Sequence, residues 1–161
     1  MVNPTYGFEG QAALGHRSKP AHDRSTMQIV PKPPTVKNPP EQFTGDVWFD
    51  VIASPQTGDQ RMVVGLVRFA PGARTAWHSH VRGQTLHVTH GVALMQSRGG
   101  HIVVVQPGQA VYTPPGEEHW HGATPDDFME HLAMFENSDD PGTTTTWGQH
   151  VSDEEYNAEA H

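Results

Sequence analysis

The chain has 161 residues, a formal net charge of -8 and no cysteine. A chain of this length makes one domain able to bury a core without staples. The missing cysteine excludes disulfides and thiolate metal sites, so any metal must sit on nitrogen and oxygen. The acidic balance argues against a nucleic-acid partner, because affinity for phosphate backbones comes mainly from Lys and Arg. No apolar run reaches the roughly 20 residues that span a bilayer, and the N-terminus lacks the basic-then-apolar pattern of a secretion signal. A cytoplasmic protein with no nucleic-acid or membrane partner is expected.

In chain order, residues 1–40 read as an N-terminal arm. Its first 26 residues have little hydrophobic periodicity. Pro31, Pro33, Pro34, Pro39 and Pro40 then favour extended, polyproline-like chain. Residues 41–150 read as one all-β domain. Short apolar runs at 47–52, 61–69, 85–89, 92–96, 101–105, 110–113 and 128–136 are rich in Val and bounded by Gly and Pro. Such runs, spaced about ten residues apart, predict strands of a sandwich or barrel. Residues 151–161 form a tail with a helix expected near 152–160, where Ser152 can cap and Glu155 stands three residues on.

Histidine is the unusual residue. There are twelve, and eight of them fall between positions 78 and 131. On a strand, residues two apart share a face. His78 and His80 therefore project together, and the Arg82-Gly83 turn brings Gln84 toward them at the start of the next strand, where it shares a face with Leu86 and Val88. A second His-x-His pair, His119 and His121, follows another Pro-Gly turn. His131 lies on a later strand beside Met129, Ala133 and Phe135. Three or four imidazoles and one amide oxygen converging inside a barrel suit one divalent metal: Mn, Fe, Ni, Zn or Co. His87, His90 and His101 read as surface or turn residues, Trp48, Trp77 and Trp120 as core, and Arg68 and Arg74 as surface.

The spacing Gly72-x5-His78-x-His80-x3-Gln84-x6-Gly91 resembles the first cupin motif, with Gln84 where most members carry Glu. Gly108-x5-Pro114-x-Gly116-x2-His119 resembles the second. The stretches PGARTAWHSH, GQTLHVTHG, PPGEEHWHGA, MEHLAM and HVSDEEY resemble the bacterial manganese-dependent cupin hydroxynitrile lyases across roughly residues 40–157. The resemblance implies a double-stranded β-helix (jelly-roll) barrel. It implies one metal per chain, manganese first, on His78, His80, Gln84 and His119. It also implies active-site histidines at His121 and His131, and pocket positions at Gly65, Val67, Thr75 and Phe135. Leu86, on the Gln84 face, joins these small or apolar positions in a pocket suited to a small organic molecule.

Three readings follow: a lyase splitting cyanohydrins to aldehyde and cyanide, an oxygen-dependent cupin such as a dioxygenase, or a non-catalytic metal- or ligand-binding barrel. A homodimer or homotetramer is expected, since the proline-rich arm suits coverage of a sheet edge.

Overall fold

The computed structural model describes residues 27–158; the first 26 residues of the expected arm lie outside them. The chain divides into two compact units, Met1–Pro31 and Lys32–His161. In the first, residues 27–31 are exposed and carry no regular structure. Everything below concerns the second.

This unit is built from short strands and one turn of α-helix. The strands are β1 (Val36–Lys37), β2 (Phe43–Thr44), β3 (Val47–Ala53), β4 (Met62–Phe69), β5 (Arg74–Thr75), β6 (His78–His80), β7 (Gln84–Gly91), β8 (Ala93–Ser97), β9 (Val103–Val105), β10 (Ala110–Thr113), β11 (His119–Ala123), β12 (Met129–Glu136) and β13 (Thr145–Trp147). Among the described residues the one α-helix is α1 (Asp153–Tyr156), and a 3-10 turn spans Pro141–Thr143. One sheet runs β1-β3-β4-β12-β7-β10; the other runs β13-β6-β11-β5-β2, with β8 joining β11 to β9. The all-β barrel expected from the spacing of apolar runs is the fold observed. Strands β1, β2, β5 and β13 carry two or three residues each, too few for any alternation to show in the sequence. They are held by partner strands rather than by local preference.

Partners in register point the same way, so the inner face of the six-stranded sheet reads in rows. The deepest is Val47–Phe69–Met129, then Phe49–Val67–His131–Val88, then Val51–Gly65–Ala133–Leu86, and last Val63–Phe135–Gln84. Val47, Phe69 and Met129 are buried; in the last row Val63 and Gln84 are also buried and Phe135 is half-buried.

A second apolar cluster covers the outside of the other sheet. Trp77, just before His78, and Trp120, between His119 and His121, point outward and pack with Leu94, Ile102, Val151 and Tyr156. The C-terminal segment closes this cluster. Ser152 caps α1 in a reciprocal box with Glu155, as the sequence predicts. The Tyr156 hydroxyl donates to the Ala123 carbonyl at 2.7 Å. Arg74, expected at the surface, is only 6% exposed. It lies 4.5 Å from the Tyr156 ring and donates to the Val151 carbonyl at 3.0 Å and to Asp153 at 2.6 Å. The tail folds over it and supplies its partners, which no local pattern announces. At the other end of the unit, the buried Asp50 carboxylate holds Lys32, Thr35 and Arg68, tying the segment before β1 to β3. Among the described residues, no helix is long and apolar enough to cross a membrane.

Gly91 ends β7 with φ +69°, and a Cβ there would lie 1.8 Å from the Phe128 carbonyl oxygen. Gly99 has φ +77° but open space around it. Gly91→Ala is expected to cost about 3 kcal/mol or more through a backbone clash. Gly99→Ala is expected to cost only the left-handed penalty of about 1–2 kcal/mol. Urea denaturation midpoints of the two variants test the difference.

Candidate metal centre

Strand β11 lies beside β6 with His119 directly opposite His78. The two His-x-His pairs, far apart in sequence, thus become neighbours on one inner face. His78 and His119 have ring centroids 4.3 Å apart, and His78 and His80 5.2 Å. One nitrogen from each of His78, His80 and His119 lies within 4.8 Å of the others, and all three residues are buried. Gln84 reaches in from the first position of β7, its Oε1 3.0 Å from His119 Nε2.

Hydrogen bonds on the far side of the rings aim these nitrogens. His78 Nδ1 donates to the Ala76 carbonyl and His119 Nδ1 to the Glu117 carbonyl, each at 3.0 Å. A carbonyl only accepts, so each neutral ring keeps its proton on Nδ1 and presents a lone pair on Nε2. His80 Nδ1 is held by the Thr145 hydroxyl at 3.1 Å. The His119 Nε2 lone pair then faces the Gln84 amide oxygen. Two lone pairs at this distance have the spacing of two ligands on one cation, and the N/O donor set fits a first-row divalent ion.

Next to this cluster sits a second pair. His131 Nε2 and His121 Nδ1 are 3.2 Å apart and both rings are buried. The His121 ring lies 5.2 Å from that of His78. Phe69 covers the pair, 5.7 Å from His121 and 5.5 Å from His131.

A cupin domain model matches residues 65–135. The (R)-mandelonitrile lyase of Granulicella tundricola is 47% identical over 121 residues, covering 74% of this chain and 89% of that protein. The chain belongs to the cupin superfamily. A cupin-like protein from Thermotoga maritima shares its fold with a TM-score of 0.71 at 36% identity, covering 77% of this chain and 92% of that one. A cupin-2 domain from Rhodospirillum rubrum, at 16% identity, matches with a TM-score of 0.60 over 72% of this chain and 75% of its own.

The remaining residues singled out in this cupin fall as follows. Gly65, Val67 and Leu86 line the middle rows of the six-stranded sheet, and Phe135 stacks on His80 with centroids 5.0 Å apart. Thr75 is buried, and its hydroxyl accepts the backbone N–H of His121 at 3.1 Å, which anchors that residue. His90 is exposed and pairs with Glu130; His101 is exposed and His87 half-buried. The sequence reading missed three contributors. Trp147 stacks on His78 at 4.7 Å, Thr145 holds His80, and Phe49 packs on Gly65. Thr145 and Trp147 do stand two apart, the one sequence signal that they share a face. Their pairing with β6 across more than sixty residues is not local.

Burial keeps these imidazoles neutral. Desolvation, then the neighbouring His119 and His80, hold His78 well below the ordinary histidine value. Desolvation and His119 push His80 down to about 3. His119 is lowered by burial, against the pull of the Glu117 carbonyl. His121 is held well below by burial and then by His131, and burial lowers His131 to about 4.

Two outcomes follow. In the metal-free protein, a buried histidine of depressed pKa binds fewer protons than the unfolded chain below about pH 6.5, so stability falls as pH falls toward the folded value. His131 alone corresponds to a loss of about 2 kcal/mol between pH 8 and pH 5. Thermal melts of the chelator-treated protein should show a lower Tm at pH 5. Separately, Thr145→Val should weaken metal binding about 10–100-fold by freeing the His80 ring, with Thr145→Ser close to wild type, as measured by competition with a chelator of known affinity.

Proposed function

We infer that this cupin is a metal-dependent hydroxynitrile lyase, splitting an aryl cyanohydrin into an aldehyde and hydrogen cyanide. The observation that carries the reading is the buried His121–His131 pair set beside the three-histidine cluster. The lyase relative supplies the substrate class. His78, His80, His119 and Gln84 hold one divalent ion in this reading, manganese first. When bound, such an ion supplies a Lewis acid that acidifies an alcohol hydroxyl.

The chain's own residues then perform the proton traffic. With His121 Nδ1–H donating to His131 Nε2, the His121 Nε2 lone pair is left to accept the hydroxyl proton. Burial has already made both rings neutral, so this acceptor is available at neutral pH. As the O–H proton leaves, the electron pair left on oxygen forms the carbonyl, and the C–CN bonding pair departs with the nitrile carbon as cyanide. The depressed basicity of the pair makes its protonated form a good acid, which returns the proton to cyanide. Thr75 keeps the His121 backbone in place, and Phe69 excludes water from the back of both rings. The small and apolar positions Gly65, Val67, Ala133 and Leu86 leave the wall facing the substrate without competing polar groups.

The test is benzaldehyde release from mandelonitrile by the manganese-loaded protein. Turnover should vanish on chelation and return with metal. His121→Ala and His131→Ala should each lower kcat/KM about 10²–10⁴-fold with metal content unchanged by elemental analysis. A fully metal-loaded protein that releases benzaldehyde no faster than buffer overturns the reading.

A further inference from the structure

The inner face of the six-stranded sheet has one gap in its rows of side chains. Between the His131 row and the Gln84 row, Gly65 stands opposite Ala133, so the wall there is little more than backbone. Phe49 belongs to the His131 row, opposite Val67. Its ring nevertheless reaches across into the gap. A Cβ on Gly65 would lie 2.3 Å from both Cε2 and Cζ of Phe49, so the ring edge fills the volume that a side chain at position 65 would take. Gly65 is not among the glycines of positive φ. Backbone conformation therefore does not demand glycine here; the seated ring does. Strand β3, which carries Phe49, contributes neither a histidine nor Gln84 to the site.

We propose that Phe49, seated on the bare backbone of Gly65, is the residue that sets substrate size in this site. Its ring fixes how large a group on the reacting carbon can lie against Ala133, between His131 and Gln84. Truncating the ring opens a slot over Gly65 deep enough for a second fused aromatic ring. Adding a methyl at position 65 drives the Phe49 ring off its seat and narrows the same space. The proposal rests on the lyase reading only for the choice of molecules that enter.

The experiment uses the full chain loaded with manganese, as wild type, Phe49→Ala, Phe49→Leu, Gly65→Ala and the double variant Gly65→Ala/Phe49→Ala. Each is titrated calorimetrically with benzyl alcohol and naphthylmethanol, unreactive alcohols of two sizes, and assayed with the phenyl and naphthyl cyanohydrins. Phe49→Ala should shift the naphthyl-to-phenyl ratio of affinity, and of kcat/KM, about tenfold or more toward naphthyl, with Phe49→Leu between it and wild type. Gly65→Ala should shift the ratio the other way. The double variant should recover, because the methyl no longer meets a ring. Phe49→Leu keeps most of the buried volume and carries the test if the alanine variant does not fold. A ratio unchanged within twofold in the Phe49 variants overturns the proposal, as does failure of either alcohol to bind any form. If the alcohols follow the expected order and no cyanohydrin is cleaved, the lyase reading falls and the wall stands. If cleavage proceeds with an unchanged ratio, the wall falls and the lyase reading stands.

Discussion

The site depends on the antiparallel pairing of β6 with β11, which sets His119 opposite His78. A slip of one residue would turn His119 and His121 outward and bring Trp120 into the lumen. The outer cluster guards against that slip. Trp120 occupies the alternate position of β11 and Trp77 the residue just before β6, and both are buried with Val151 and Tyr156. The register that converges the histidines is therefore the register that hides two indoles, and the large apolar area of those indoles favours it.

The C-terminal segment has two jobs in this arrangement. Strand β13 pairs with β6 and reaches two of the cluster's rings, Trp147 by stacking on His78 and Thr145 by holding His80 Nδ1. A few residues later, Val151 and Tyr156 close the outer cluster, and the Val151 carbonyl satisfies the buried Arg74. Groups that aim the imidazoles and groups that lock their strands thus arrive on one stretch of chain. Stability and site geometry are coupled through it.

The two sheets divide the chemistry between them. One supplies His78, His80, His119 and His121, all on short strands with outward aromatic anchors. The other supplies Gln84 and His131 at opposite ends of a patch whose middle is small or apolar. Polar groups meet across the lumen only where the two faces approach. The organic part of a substrate is left facing Ala133, Leu86 and the Phe49 ring. Burial depresses the basicity of all five histidines in the lumen, so the donors are lone pairs rather than cations. That is the state a metal or a proton requires of them.

Much of this was legible in the chain alone, because the relevant signals are short-range. Alternation told which side chains share a face, so His78 with His80, His119 with His121, and Gln84 with Leu86 could be paired from spacing. The Gly and Pro punctuation told where strands end, and Ser152 with Glu155 marked the helix start. What tertiary structure alone decided lies in contacts between strands distant in sequence. These include the stacking of Trp147 on His78, the burial of Arg74 beneath the tail, and the ring of Phe49 resting on Gly65. A two-residue period assigns a side chain to a face, but it carries no information about which strand lies next to it. That neighbour is chosen by the packing of the whole barrel.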